Sequence, residues 1–144
     1  MIGLDTNVLV RYLAQDDPTQ SPKATEIIER RLTEEKPGFV SIVAMVETVW
    51  VLERAYGLTP LEIVRAVERI LQTDVLLVED EQEVFTAMIA LKNGWGSFAD
   101  AVIAALGAKR GCSQTLTFDR KACAFRVSSL LDSRLVPTVL KFRR

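Results

Sequence analysis

Ile2-Gly3-Leu4-Asp5-Thr6-Asn7-Val8-Leu9-Val10-Arg11-Tyr12-Leu13 is the stretch on which the fold turns. Ile2-Gly3-Leu4 reads as a short buried strand that ends at Asp5. Val8, Leu9, Tyr12 and Leu13 then recur at helical spacing, and Asp5 stands where an N-cap belongs. A strand that hands over to a helix this abruptly is the repeating unit of parallel α/β sheets.

The alternation continues outward from there. Asp16-Asp17-Pro18 breaks the first helix, and Ser21-Pro22 opens a second, more polar one through about Leu32. Pro37-Gly38 precedes Phe39-Val40-Ser41, a second short strand. From Ile42 to about Tyr56 the chain is apolar on most sides, as expected of a helix buried in mid-fold, and Gly57 stops it. Thr59-Pro60 caps the next helix, whose inner stripe is Ile63, Val64, Val67, Ile70 and Leu71. Glu62, Arg65, Glu68 and Arg69 make its solvated outer face. Val75-Leu76-Leu77-Val78 is a third strand, and Glu81 to about Lys92 a further helix. A Gly94-Trp95-Gly96-Ser97 loop leads to a helix rich in small residues, Asp100 to about Lys109, ended by Gly111. Thr115-Leu116-Thr117 reads as a fourth strand, closed by Asp119 at the start of a short helix. Val136-Pro137-Thr138-Val139 reads as a last strand, which its proline confines to an edge or a strand start. With no repeat, low-complexity tract or linker, residues 1–144 are expected to form one α/β domain. Its core is a doubly wound parallel sheet of four to five short strands flanked by helices.

A chain of 144 residues can bury a core without staples. Its 49% hydrophobic content excludes disorder and leaves apolar surface for a partner. No apolar run approaches the roughly 18 residues of a membrane span. The N-terminus reaches Asp5 without the layout of a signal peptide, so a cytoplasmic, membrane-free setting is expected. Cys112 and Cys123 lack the spacing of a zinc knuckle or redox pair and read as small apolar residues in or near the core. Histidine is absent altogether. That removes the Ser-His-Asp triad, the Cys-His pair, His-based cleavage of RNA and nearly all catalytic zinc sites. Chemistry here must run on carboxylates, Lys, Arg, Tyr, Ser/Thr or a metal. Near-neutral charge, 18 basic against 19 acidic side chains, argues weakly against a nucleic-acid partner. Four carboxylates sequestered on cations would leave 18 positive against 15 negative charges.

Ligands of open parallel sheets bind at the carboxyl ends of the strands. Four acids fall at or near such ends: Asp5 after strand one, Glu47 two turns into the helix after strand two, Asp100 at a helix start, and Asp119 after strand four. Asp5, Asp100 and Asp119 each have a plain structural account as helix caps or first-turn residues. Glu47 has none. It sits among Met45, Val46, Val49 and Trp50, where a carboxylate is expensive unless paired with a cation. Crowded carboxylates repel one another, and divalent cations are the usual remedy. Oxygen ligands without His or Cys select Mg²⁺ or Mn²⁺. Such a site suits phosphodiester hydrolysis: one ion lowers the pKa of an attacking water and a second neutralises the leaving oxygen.

Leu4-Asp5-Thr6-Asn7-Val8-Leu9 resembles the opening motif of PIN domains. Ser41 through Glu47 to Trp50-Val51-Leu52 resembles their second motif, Phe98-Ala99-Asp100-Ala101-Val102-Ile103-Ala104-Ala105 their third, and Thr117-Phe118-Asp119-Arg120 their fourth. Order and spacing match across nearly the whole chain. In length and in the pattern from Asp5 to Tyr12, the chain is most similar to the VapC toxins of toxin–antitoxin pairs. The resemblance implies a PIN-like three-layer sandwich and a Mg²⁺- or Mn²⁺-dependent endoribonuclease. Asp5, Glu47, Asp100 and Asp119 would hold the metal, with Thr6 and Asn7 arranging water, metal or phosphate. It also implies a homodimer or higher assembly and a cognate antitoxin that occludes the site. One departure stands out: many relatives carry an additional acid where this chain has Ser97.

Other readings compete. An Asp-nucleophile phosphatase of the haloacid-dehalogenase type needs a second acid two positions on, where this chain has Asn7. A receiver-like signalling domain needs an N-terminal acid pair that Asp5-Thr6-Asn7 does not supply. A catalytically silent PIN-like module that only binds RNA or protein would normally show a missing acid, and all four are present. Arg11, Arg120 and Lys121 are either phosphate contacts or surface charges. Lys141, Arg143 and Arg144 read as a solvated basic tail, Trp50 as core, and Trp95 as a base-stacking platform or a hydrophobic lid.

Overall fold

A computed structural model describes residues 1–117 and 119 of the chain. The elements run β1 (Ile2–Gly3), α1 (Thr6–Ala14), α2 (Gln20–Glu26, running on as a π-helical turn, Ile27–Arg31), β2 (Gly38–Val40) and α3 (Ile42–Arg54). They continue α4 (Pro60–Leu71), β3 (Leu76–Val78), α5 (Glu81–Lys92) and α6 (Phe98–Lys109). The strands form one parallel sheet in the order β1-β2-β3, with Ile2 opposite Gly38 and Gly38 opposite Leu76. The α/β architecture expected from alternating strands and helices is what forms.

Strand β2 lies in the middle, and leucines pack closely over its face at Gly38. At Gly38 a Cβ would stand 2.7 Å from Leu32 Cδ1 and 2.9 Å from Leu4 Cδ1, so only glycine lets those leucines close over the strand. Side chains alternate across the sheet. Val40 and Leu76 turn into the core at 0% and 7% exposure, while Leu77 on the opposite face is 50% exposed. Leu9, Met45, Ile63, Val84 and Phe98 complete the buried interior.

The helices start and stop for local reasons. Ser41 Oγ accepts the Ala44 N–H at 3.1 Å and begins α3. Thr59 and Glu62 form a reciprocal capping box at α4 with Pro60 in its first turn. The inner stripe of Ile63, Val64, Val67 and Ile70 is buried as its spacing predicts. Gln15, in a left-handed conformation (φ 52°), ends α1, and Asp17 Oδ1 accepts the N–H groups of Thr19 and Gln20 at the head of α2. Among the described residues, no helix is long and apolar enough to cross a membrane.

Two expectations need correction. Residues 115–117 form no strand, so among the described residues the sheet has three strands and lacks the one expected there. One apolar residue between two threonines, with Leu116 itself 53% exposed, buries too little to hold a ladder. The strand expected at 136–139 and the helix expected after Asp119 lie outside the described residues, as does Cys123. Cys112 is exposed and not in the core. It follows Gly111 (φ 88°) in the turn that closes α6, where the Cys112 N–H donates to the Gly107 carbonyl at 2.9 Å.

Candidate functional site

Asp5 occupies the N-cap position of α1 with extended backbone (φ −81°, ψ 156°), yet its carboxylate makes no capping hydrogen bond. Helix capping therefore explains where Asp5 sits but not what its side chain does. Asn7 Nδ2 donates to Asp5 Oδ2 across 3.4 Å, a long contact on an exposed surface.

Glu47 comes from α3, which packs against α1. Thr6 Oγ1 donates to Glu47 Oε2 at 2.6 Å, joining residues 41 positions apart and setting the Glu47 carboxylate beside the segment that carries Asp5. Glu47 itself is exposed, contrary to the burial expected from its apolar neighbours. The helical period explains the error. Met45, Thr48, Val49 and Leu52 turn inward. Val43, Glu47, Trp50 and Arg54 follow one another at i, i+4, i+7 and i+11 and share the outer face. Trp50, read as core, is accordingly 58% exposed. Desolvation therefore supplies no reason for Glu47 to need a cation.

Asp100 sits in the first turn of α6, which begins at Phe98 with Ser97 as its cap and not at Asp100 itself. Ser97 Oγ accepts the Asp100 N–H at 3.1 Å and donates to Asp100 Oδ2 at 2.7 Å. The residue that departs from the usual acid thus has a structural task of its own. Helix α6 packs on α3. Glu47 and Ser97 both border a groove of about 570 Å³ between the two helices, floored by Val46, Val102, Ile103 and Leu106. Glu53 lies further along it, and burial pushes its carboxyl above the usual carboxylate range. Asp119 is exposed, and its N–H donates to Thr117 Oγ1 at 3.0 Å.

The elements thus link Glu47 to the chain at Asp5 and set the helix of Asp100 against the helix of Glu47. Among the described residues, no three Asp, Glu or Cys side chains gather closely enough to grip one ion. A closed carboxylate cage is absent from that set. Mg²⁺ seldom uses one: it keeps several waters and takes one or two carboxylates, with substrate phosphate completing the shell. The donors here are all oxygens, and Asp5 and Glu47 are exposed, which fits a hard ion held in that open manner.

Arg11, a candidate phosphate contact, is already engaged. Its Nη1 donates to Asp16 at 3.2 Å and to Tyr56 Oη at 3.0 Å, and its Nε donates to Gln20 at 2.9 Å. The bond to Asp16 holds the guanidinium above its ordinary value, and the Tyr56 hydroxyl, donating at 2.7 Å, holds the Asp16 carboxyl low. This cluster ties the end of α1 to the end of α3. Trp95 is 48% exposed in its glycine loop. Arg120, Lys121 and the basic tail lie outside the described residues.

One anchoring residue escaped the sequence reading. Glu79, directly after β3, accepts the Ile42 N–H at 2.8 Å and pins the head of α3 to the sheet. Its signal was available, because an acid after the third strand occupies the same kind of position as Asp5 after the first.

The family model of the PIN domain matches residues 2–127. No curated protein matches the chain. PIN domains are nucleases that generally depend on divalent metal. A match that begins at β1, runs past Asp119 and takes in all four acids leaves one assignment, and the chain belongs to the PIN domain family.

Proposed function

We propose that this protein is a Mg²⁺- or Mn²⁺-dependent endoribonuclease and the toxin of a type II toxin–antitoxin pair. The observation that carries this proposal is Glu47, exposed on α3 and held at 2.6 Å by Thr6, the neighbour of an Asp5 whose carboxylate caps nothing. Asp5 and Glu47 are the first two ligands, with Asp100 and Asp119 completing the acidic set directly or through water. When bound, a divalent ion supplies activation of water and neutralisation of charge on the phosphate. The chain's own residues hold these carboxylates in place: Asn7 contacts Asp5, Thr6 contacts Glu47, and Ser97 contacts Asp100.

The assembly we propose is a homodimer, with a cognate antitoxin as the regulatory partner. Val43, Trp50 and Ile103, 72%, 58% and 58% exposed, supply apolar surface for a partner beside the site.

A catalytically silent module that binds RNA or protein is the second reading. It draws on the lack, among the described residues, of three gathered carboxylates. Incubating purified protein with a mixed RNA pool in EDTA, Mg²⁺ or Mn²⁺, beside Asp100→Asn, separates the two. Cutting that requires the ion and disappears in the variant supports the nuclease. RNA retained without cutting under either ion supports the silent module.

A further inference from the structure

We infer that Trp95 is a substrate-binding residue, on whose indole ring an unpaired nucleobase of the RNA stacks; this rests on the proposal that the chain acts on RNA. The backbone beneath the ring is fixed by the end of α5. The Gly94 N–H donates to the Leu91 carbonyl at 3.1 Å and the Trp95 N–H to the Ala90 carbonyl at 3.0 Å, the paired bonds of a Schellman motif. Gly94 (φ 71°) and Gly96 (φ 129°) flank the tryptophan in conformations that other residues rarely adopt. Ser97 follows at once as the cap of α6, the helix that carries Asp100 in its first turn. The ring is thus rooted at the threshold of a candidate ligand's helix.

Packing does not account for the side chain. A Schellman motif favours an apolar residue at this place, resting on the preceding turn. Yet Trp95 is left 48% exposed, and a Cβ at Gly94 would meet nothing within 4 Å, so the loop stands open. Charge points the same way. The chain has 18 basic against 19 acidic side chains, and Arg11 is already engaged by Asp16. Phosphate attraction, the usual main source of affinity for nucleic acid, is weak in such a chain. Stacking on an aromatic face adds affinity without charge, and only a base freed from its duplex can reach the ring.

The test measures affinity in EDTA for a single-stranded oligoadenylate and for the same strand in a duplex. Trp95→Ala should weaken binding of the single strand by roughly 5- to 100-fold, the loss of one stacked base. Trp95→Phe should recover most of it, and duplex affinity should be the same in all three proteins. In Trp50→Phe, where Trp95 is the remaining tryptophan, the single strand should quench its fluorescence. Wild-type affinity in Trp95→Ala, an equal loss for single strand and duplex, or no quenching overturns the stacking. A change of oligomeric state in Trp95→Ala with RNA affinity unchanged overturns it too, and assigns the ring to a protein contact. So does a chain that binds no single strand, either in EDTA or, as Asp100→Asn, in Mn²⁺. Should Trp95→Ala fail to fold, the quenching decides. Binding and quenching without cleavage under any ion leave the stacking standing and overturn the nuclease.

Discussion

Ser97 holds Asp100 with both functions of a single hydroxyl, accepting its N–H at 3.1 Å and donating to its Oδ2 at 2.7 Å. One side chain therefore begins α6 and fixes the orientation of a candidate ligand. Replacing it should disturb both. Ser97→Ala should lower stability by about 0.5–2 kcal/mol, the usual cost of a lost N-cap, as measured by urea denaturation. Ser97→Asp, which keeps a capping oxygen, should recover most of that loss. Unchanged stability in Ser97→Ala would show that the hydroxyl does not hold the helix.

Gly38 marks a close approach of two leucines to the central strand. Leu32 and Leu4, 4% and 8% exposed, have little room to yield to a new Cβ in the central strand. Gly38→Ala should therefore destabilise the protein by about 1–3 kcal/mol, the range seen when a packed core is overfilled. A thermal midpoint equal to that of the wild type would mean the leucines move aside freely.

Thr48 offers the opposite case. It is 1% exposed, and its Oγ1 has no hydrogen-bond partner among the described residues. An unpaired buried hydroxyl costs on the order of 1–3 kcal/mol. Thr48→Val keeps the shape and removes the orphan oxygen, so the thermal midpoint should rise. A fall would indicate that the hydroxyl is satisfied in solution.

Asp17 makes the head of α2 sensitive to acid. Its carboxyl is held below the usual carboxylate range chiefly by the Gln20 N–H at 2.6 Å, then by the Thr19 N–H at 2.9 Å. Because the folded value is depressed, its contribution is complete above the unfolded value of about 3.9 and is lost as pH falls through the folded value. Acid titration of stability should show this loss below about pH 4. Asp17→Asn, which keeps an accepting oxygen but no charge, should flatten that part of the curve.

Much of this was legible in the sequence, and the failures have a common cause. The abrupt change from Gly3 to Thr6, the Thr59-Pro60 start of α4 and the stripe from Ile63 to Ile70 all formed as spacing predicts, because local chemistry alone decides them. Glu47 and Trp50 were misplaced because α3 is apolar on its outward face as well as its inward one, so hydrophobicity could not tell the two apart. Only packing against α1 and α6 settles which face is covered. The partners of Thr6 and Glu79 were illegible for a related reason, because each lies across the fold, 41 and 37 positions away, although the place of Glu79 directly after a strand was visible. Residues 115–117 looked like a strand by composition but lack the burial that makes one.

The central claim is that these carboxylates exist to hold a divalent cation. Calorimetric titration of Mn²⁺ into the metal-free wild type and into Asp5→Asn tests it most directly. We predict saturable binding to the wild type and its loss in Asp5→Asn, with the variant as stable as the wild type in EDTA because the Asp5 carboxylate makes no capping bond. Equal affinity in the two proteins, or no binding to the wild type, would contradict it.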